Sequence, residues 1–353
     1  MTYRPLIFRA APFVATIGLA YAGGYLYKDW TIPKYEGDES LEGKTVVITG
    51  ATKGLGRSTA KEFAKRNARV ILGCKDQDKC IGVRRKIVDS TGNSEVYCSL
   101  LDMSSIKSIQ EFIRRLDDKK IGVDILVNNA AVKSVTLRST REGFEKQLGV
   151  NYLGHFYLTY ALMDNLLRTA PSRIVNVVCP NYRKGEINFE DLNSKNSFDY
   201  NKAYNQSKLA MALFTKELAE RLKKTNVYVY SADPGLCRTD LNREMRYRKS
   251  IIARIFVSPI LWFFERSPFH GSQVILHCAL SPDLANQEAS GLYYKNNTPR
   301  TTEEVLDDKA LAKKLWLVSE KWTVQRIKPL PIVTAQDAQN KDSDSSKKSE
   351  EDS

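Results

Sequence analysis

A strand–turn–helix segment at residues 44–76 constrains the fold of this chain more than any other feature. Residues 45–49 (TVVIT) have the β-branched composition of a buried parallel strand, and apolar residues follow at helical spacing over 60–64. A second strand is predicted at 68–72. This order is one βαβ unit, which predicts a parallel sheet with a right-handed crossover.

The turn between the first strand and the helix contains three glycines. Glycine lets the backbone turn tightly and approach a ligand closely, while the start of the helix presents N–H groups to an anion. A pyrophosphate-containing dinucleotide is the ligand that suits this arrangement. The residues predicted to contact it here are Thr49, Gly50, Lys53, Gly54, Leu55 and Gly56.

Further motifs follow in a fixed order along the chain. They are LLDM at 100–103, VNNAA at 127–131, GVNYLGHF at 149–156, YNQSK at 204–208 and DPGLCRT at 233–239. Together with the glycine turn, this set resembles the short-chain dehydrogenase/reductase superfamily over about residues 43–300. APSRIVNV at 170–177 is similar to the retinol dehydrogenase branch, and LYKDW at 26–30 is similar to its mitochondrial type.

The resemblance implies a single Rossmann-type doubly wound α/β domain with a mainly parallel sheet, placed at residues 43–330. It implies an alcohol dehydrogenase or carbonyl reductase that uses a nicotinamide cofactor. The catalytic positions are Tyr204, Lys208, Asn151 and Cys179. Further cofactor contacts are implied at Asp102, Asn128, Tyr204, Lys208, Pro234, Gly235 and Thr239.

Tyr204 is expected to exchange the proton with the substrate oxygen. Lys208 lies four residues further on, on the same face of a helix. Its ammonium group and the positive cofactor ring are expected to lower the tyrosine pKa from about 10. The resemblance gives Asn151 a place in the proton path.

Cys179 stands where the family has a serine that donates a hydrogen bond to the substrate carbonyl, and Val178 precedes it. A thiol is a much weaker donor than a hydroxyl. Three interpretations remain open. The enzyme turns over slowly, or it is a cofactor-binding protein that acts as a membrane-tethered scaffold, or Cys179 is a redox-sensitive thiol.

Cofactor preference depends on the end of the second strand, where an acidic residue selects NAD. Cys74 occupies that position, Lys75 follows, and Lys53 lies in the glycine turn. Two cations and no carboxylate favour NADP(H). Asp76 is the counter-evidence, and two ordinary surface lysines are the alternative.

Cysteine and histidine usage does not indicate a metal centre. The six cysteines form no C-x-x-C pair and there are three histidines, so no metal site is expected. We predict reduced thiols in an intracellular protein, with no disulfide framework. The histidines are isolated, and we interpret each as a structural or surface residue.

The chain ends differ from the predicted domain. Residues 1–29 contain an uncharged stretch at 10–27, which we interpret as a single-pass membrane anchor rather than a signal peptide or a mitochondrial presequence. Residues 30–42 are a predicted linker and 331–353 a polar, disordered tail. The organelle, mitochondrion or endoplasmic reticulum, stays open.

Substrate class is indicated by residues 241–268, which begin basic and become strongly apolar. In the family this region is a substrate lid, and its aromatic content suits a retinoid, steroid or lipid carbonyl or alcohol. It could instead contact membrane lipid or form a homodimer face. The net charge of +13 comes from scattered residues without a nucleic-acid-binding motif, so no nucleic-acid partner is expected.

Overall fold

The computed structural model describes residues 29–238, 241 and 265–324, and in addition residues 16, 23, 24, 26 and 27. Almost all of the predicted anchor, Thr239, most of segment 241–268 and the predicted tail lie outside these residues. Within the described residues, no helix is both long enough and apolar enough to cross a membrane.

One sheet organises the described chain, in the strand order β3-β2-β1-β4-β5-β6-β7-β8. All neighbouring strands are parallel except β7 and β8. The strands are β1 (Thr45–Thr49), β2 (Arg69–Cys74), β3 (Val96–Leu100), β4 (Ile125–Asn128), β5 (Ser172–Val177), β6 (Val227–Asp233), β7 (Tyr293–Lys295) and β8 (Thr298–Pro299). The predicted Rossmann-like fold with a mainly parallel sheet is confirmed.

Helices cover both faces of this sheet. They are α1 (Gly54–Lys65), α2 (Gln77–Thr91), α3 (Ile106–Asp118), α4 (Lys146–Leu148), α5 (Gly154–Ala161), α6 (Met163–Arg168), α7 (Tyr200–Arg221), α8 (Pro268–Leu280) and α9 (Lys309–Thr323). A π-helical segment, Gly149–Leu153, joins α4 to α5.

The strand periodicity of two divides the core into two layers. Val47 of β1 packs in the layer that contains Phe156 of α5 and Phe214 of α7. Val46 and Ile48, its neighbours in β1, pack in the opposite layer, which contains α1 and α8. A strand buried on both faces reads as an unbroken apolar run, which is why TVVIT predicts β1 with its correct limits.

Side-chain caps set the starts of several helices. Asp76 accepts a hydrogen bond from the Lys79 backbone N–H at the start of α2, and Asp199 accepts from the N–H groups of Asn201 and Lys202 at the start of α7. Such caps satisfy N–H groups that have no partner within the helix. The cap at Asp199 therefore helps fix where α7, which carries Tyr204 and Lys208, begins.

The prediction of reduced thiols is wrong for two of the six cysteines. Cys80 in α2 and Cys98 in β3 form a disulfide, and the Cys74 thiol lies beside them. The spacing along the chain gave no sign of this pair. It forms because parallel pairing puts Leu72 of β2 opposite Cys98, while α2 folds back over the same strands.

Candidate active site

The candidate site lies at the carboxyl ends of the parallel strands. The strand order reverses between β1 and β4, since the chain builds outward to β3 and then returns to the other side of β1. A parallel sheet opens a crevice at such a switch point, and ligands bind there. The glycine turn follows β1, and the NNAA segment follows β4, so both border this crevice.

The glycine turn is too tightly packed or too strained for a side chain at its glycine positions. Gly50 and Gly54 have positive φ angles of 66° and 47°. A Cβ on Gly50 would lie 2.9 Å from the Ala130 Cα atom, and one on Gly56 would lie 2.5 Å from the Gly50 carbonyl oxygen. Glycine is thus required at these positions, and the turn exposes backbone to a ligand as a pyrophosphate site requires.

The start of α1 fits an anion. Lys53 precedes the helix without a side-chain cap, and the first turn carries no acidic residue. Leu55 behind it is buried. Backbone N–H groups and the positive end of the helix dipole therefore meet the crevice, which is the arrangement that binds a cofactor pyrophosphate.

A buried histidine links this turn to the rest of the site. Burial lowers the pKa of His155 to about 3, so its ring is neutral. The ring Nδ1 lies 3.3 Å from the Asn151 carbonyl oxygen, and Nε2 lies 2.9 Å from the Thr49 hydroxyl. A neutral ring satisfies both contacts when Nδ1–H donates and Nε2 accepts. Thr49 in turn accepts from the N–H groups of Asn129 and Ala130.

The end of β2 is where the resemblance to the family predicts the cofactor ribose to lie. Cys74 is buried, and burial raises the pKa of its thiol to about 11, so it is neutral. Lys53 and Lys75 are both exposed. Asp76 caps α2 and forms an ion pair with Lys79, which lowers its pKa. The Asp76 carboxylate is therefore held by its own helix.

The remaining predicted cofactor residues have different surroundings. Asp102 accepts hydrogen bonds from Ser104 through both backbone N–H and hydroxyl, at 2.9 and 2.7 Å. The Asn128 amide is buried and donates to Thr159 and Asn176, which places it inside the core next to the site. Its neighbour Asn129, which the sequence did not single out, donates to the Thr49 carbonyl oxygen beside Gly56.

The PG turn after β6 closes another side of the crevice. The Gly235 N–H donates to the Asp233 carboxylate at 2.8 Å, and its φ is 74°. A Cβ at Gly235 would lie 2.9 Å from the Arg266 side chain. Pro234 and Gly235 thus form a tight turn, whereas Thr239 lies outside the described residues.

Tyr204, Lys208 and Cys179 lie close together, and Asn151 connects to the same helix through Ser207. Tyr204 and Lys208 are buried on one face of α7, and Lys208 Nζ lies 5.9 Å from the Tyr204 ring centre. Lys208 donates to the Val177 carbonyl oxygen at 3.2 Å. Cys179 Sγ lies 3.7 Å from the Tyr204 hydroxyl oxygen.

Asn151 connects two parts of the site through the hydrogen bonds of its side-chain amide. It lies in the π-helical segment, a local widening common at functional sites. Its amide bonds both backbone groups of Val132 and donates to the Ser207 hydroxyl, which donates to the Tyr204 carbonyl oxygen. Asn151 therefore joins the loop after β4 to the helix that carries Tyr204.

Burial governs the titration of the central pair. It raises the pKa of the Tyr204 hydroxyl, and the adjacent Cys179 raises it further. Burial also lowers the pKa of Lys208, while Cys179 and Asp233 oppose that effect. The protein residues by themselves therefore do not lower the pKa of Tyr204, and the expected effect of Lys208 together with the bound cofactor ring stays a prediction. Tyr204 is a protonated acid at neutral pH.

Lys133 is a residue that the sequence reasoning missed. Its Nζ lies 5.0 Å from the ring centre of Tyr204 and 5.7 Å from that of Tyr200, within the range of cation–π contacts. Burial lowers the pKa of Lys133, while Cys179 and Asp199 raise it. The available signal was a lysine that directly follows the apolar residues AAV at 130–132, two residues after the NNAA motif ends.

A dinucleotide turn at the switch point, next to a buried tyrosine–lysine pair, defines a nicotinamide-dependent oxidoreductase. Residues 44–250 match the family model described as short chain dehydrogenase, which is more than half of the chain. The chain therefore belongs to the short-chain dehydrogenase family, as the motifs predicted.

Curated relatives narrow the class. The chain is 40% identical to Retinol dehydrogenase 13 of Mus musculus over 308 residues, covering 87% of this chain and 92% of that protein. It is 39% identical to Retinol dehydrogenase 14 of Mus musculus, covering 88% of this chain and 98% of that protein. The protein is an oxidoreductase related to the retinol dehydrogenases.

Solved structures agree on the fold. An uncharacterized protein from Mycobacterium paratuberculosis is 30% identical with a TM-score of 0.64, covering 81% of this chain and 95% of that chain. L-sorbose reductase from Gluconobacter frateurii, solved with NADPH and L-sorbose, is 21% identical with a TM-score of 0.55, covering 73% and 96%. The second likeness shows the fold alone.

Proposed function

We propose that the protein is an NADP(H)-dependent oxidoreductase that interconverts an apolar alcohol and its aldehyde or ketone. The observation that carries this proposal is the buried Tyr204–Lys208 pair beside the glycine turn. A retinoid, steroid or lipid carbonyl is the proposed substrate class. The printed names of the relatives, retinol dehydrogenases, favour the retinoid among these.

NADP(H) is the proposed cofactor because the end of β2 offers positive charge. Lys75 and Lys53 are exposed there, and the Asp76 carboxylate is held by Lys79 and the start of α2. When bound, the nicotinamide supplies or accepts the hydride. Gly50, Gly54 and Gly56 would hold the pyrophosphate, and Lys75 would hold the 2′-phosphate.

Tyr204 is the proposed proton donor. Its raised pKa keeps the hydroxyl protonated at neutral pH, which suits reduction of a carbonyl. Lys208 Nζ donates a hydrogen bond to the Val177 carbonyl oxygen, so the position of the lysine side chain is fixed before substrate binds. Asn151 and Ser207 hold α7 in register with the loop after β4. We therefore assign these two residues a positioning role.

Cys179 is the proposed cause of slow turnover. Its thiol takes the place of a hydroxyl donor to the developing oxyanion, and thiols donate weakly. The cysteine at position 179 also favours a second candidate function. In this alternative the protein binds the cofactor, no longer converts substrate, and acts as a membrane-tethered scaffold. The predicted single-pass anchor, an intracellular membrane location, lipid contact and a homodimer remain proposals alongside both.

The test is reduction of all-trans-retinal, or of a panel of steroid ketones and lipid aldehydes, by NADPH. Product formation is followed by chromatography for the wild type and Cys179→Ser. We expect slow turnover in the wild type. We expect the restored hydroxyl to raise kcat by about 10² to 10³, the factor that loss of one such donor typically costs.

Two further variants control this experiment. Tyr204→Phe should abolish turnover while NADPH still binds, whereas Tyr157→Phe removes a tyrosine hydroxyl elsewhere, on α5, and should leave turnover unchanged. If neither the wild type nor Cys179→Ser turns over any substrate while NADPH binding is intact, the enzyme proposal fails and the scaffold is favoured.

A further inference from the structure

Three cysteine sulfurs meet beside the proposed 2′-phosphate site. Cys74 ends β2, Cys80 lies in α2, and Cys98 lies in β3, and their Sγ atoms are all within 4.8 Å of one another. Cys80 and Cys98 are joined as a disulfide, and their Cα atoms are 5.9 Å apart. That separation lies within the range of about 4.4 to 6.8 Å that a disulfide bridges.

We propose that Cys80 and Cys98 are a reversible redox pair whose state controls how tightly the adjoining ribose site binds NADPH. The proposal rests on the proposed use of NADP(H). It assigns a modification site to residues that take no part in the proposed chemistry at Tyr204.

Burial separates the roles of the three sulfurs. Cys80 is fully buried and Cys74 nearly so, whereas Cys98 is partly exposed on β3, the edge strand of the sheet. A reagent from solution therefore reaches Cys98 first. Cys74 is the free thiol of the three, because the disulfide joins Cys80 to Cys98. Cys74 stays a neighbour, and the exchanging pair is Cys80 and Cys98.

Glutathione disulfide is a sufficient oxidant for the pair. The Cys98 thiolate attacks one glutathione sulfur, a mixed disulfide forms, and one glutathione leaves as a thiol. The Cys80 thiolate then attacks the Cys98 sulfur, the protein disulfide forms, and the second glutathione leaves. Two electrons pass from the two cysteines to glutathione disulfide, and both protons end on the glutathione thiols. Excess reduced glutathione reverses both steps.

The disulfide ties together the two elements that border the ribose site. Lys75 and Asp76 immediately precede α2, which contains Cys80, and Asp102 follows soon after β3, which contains Cys98. Packing is tight between these strand ends, since a Cβ on Gly73 would lie 2.8 Å from the Leu101 side chain. Opening the bond removes the covalent link that holds the start of α2 against β3. Lys75, two residues before α2 begins, is then less restrained than in the oxidised protein.

The expected effect is specific to the phosphorylated cofactor. Reduction should weaken NADPH binding about fivefold, the lower end of ordinary coupling between sites. NADH binding should change by less than about twofold, because NADH has no 2′-phosphate for Lys75 to hold. Equal loss for both cofactors would mean general loosening of the domain and would overturn the coupling to Lys75.

The experiment equilibrates the full chain in glutathione buffers of graded oxidised-to-reduced ratio. Free thiols are blocked by alkylation, and the Cys80–Cys98 peptide is quantified by mass spectrometry. Dissociation constants for NADPH and NADH are measured on the same samples by calorimetry. Cys80→Ser and Cys98→Ser should bind NADPH as the reduced wild type does. Cys278→Ser, a buried free cysteine of α8, is the matched control and should behave as the wild type.

Each outcome decides the proposal. Two alkylated thiols at every ratio, or an unchanged NADPH dissociation constant, overturn it. Stoichiometric zinc on titration, lost in Cys74→Ser, would identify a thiolate metal site instead. The wild type alone, compared between buffers, suffices if the variants do not fold. Absence of NADPH binding in both states would refute the cofactor proposal, while the peptide measurement would still report the redox pair.

Discussion

At the scale of single residues, Lys133 most changes the chemistry expected at the candidate active site around Tyr204. A cation 5.0 Å from the Tyr204 ring adds positive charge where Cys179 supplies only a weak donor. Burial lowers the pKa of Lys133, and the nearby Cys179 opposes that effect. Positive charge next to a developing alkoxide stabilises it in a dry site. We therefore propose that Lys133 compensates for the weak hydrogen-bond donation expected of the Cys179 thiol.

Lys133→Met tests this role by keeping the length of the side chain and removing its charge. We expect kcat to fall about tenfold in the wild-type background, and less in the Cys179→Ser background, where a hydroxyl donor is restored. Lys133→Arg should retain most of the activity. Steady-state kinetics of the four proteins in the double-mutant cycle measures the coupling. Equal losses in both backgrounds would show that Lys133 acts independently of position 179.

At the scale of one element, we expect the connection from β2 to α2 to decide cofactor choice. It contains Cys74, Lys75 and Asp76 in succession, and the cap at the start of α2 holds the only carboxylate among these three residues. The charge available to a ligand at this connection depends on the helix start as well as on residue type, because the helix start engages the Asp76 carboxylate. The sequence contains both Lys75 and Asp76 here, and by itself it does not reveal which of the two is available to a cofactor ribose.

Lys75→Asp should reverse the cofactor preference. We expect NADPH binding to weaken by about tenfold or more, the loss of one charge-assisted contact, and NADH binding to improve. Calorimetric titration with both cofactors measures the change. Lys86→Asp, the same charge change at an exposed position of α2, is the control and should alter both affinities little. NADPH and NADH affinities that keep their ratio in Lys75→Asp would contradict the assignment.

At the scale of the whole molecule, His155 joins β1, the loop after β4 and the segment that contains Asn151. It contacts Thr49, which lies 106 positions earlier in the chain. Thr49 holds Asn129 and Ala130 in turn. The neutral ring thus connects the dinucleotide turn with the proton-transfer region, and protonation of that ring in the folded state is unfavourable because of burial.

Stability should consequently fall in acid. Burial depresses the pKa of His155 in the folded protein from its ordinary 6.5 to about 3, so the unfolded chain binds a proton that the folded chain does not. The free energy of unfolding contributed by this group is fully present above pH 6.5 and decreases as pH falls toward 3, by about 1.4 kcal/mol per pH unit.

His155→Gln removes this titration while keeping an acceptor for Thr49. Urea unfolding at pH 6.5 and pH 5 should show the wild type losing about 2 kcal/mol more than the variant over that interval. Titration of other groups is common to both proteins and cancels in the comparison. Parallel pH dependence of the two proteins would disprove the assignment of His155.

Local sequence was sufficient for much of the fold. The limits of β1 were predicted correctly because a strand buried on both faces has an unbroken apolar run. The second strand was predicted at 68–72 and observed at Arg69–Cys74, since ends depend on pairing with β3 as well as on composition. Tyr204 and Lys208 were predicted to share a helix face, because a separation of four residues is close to one helical turn.

The sequence by itself determined the βαβ unit, the glycine turn and the Tyr204–Lys208 pair, because each depends on residues close together in the chain. Only the tertiary structure decided that Cys80 meets Cys98, that Lys133 lies over Tyr204 and that His155 bridges Thr49 and Asn151. It also decided that burial raises the pKa of Tyr204. Contacts between distant segments and loss of solvent arise from packing, which spacing along a chain does not encode.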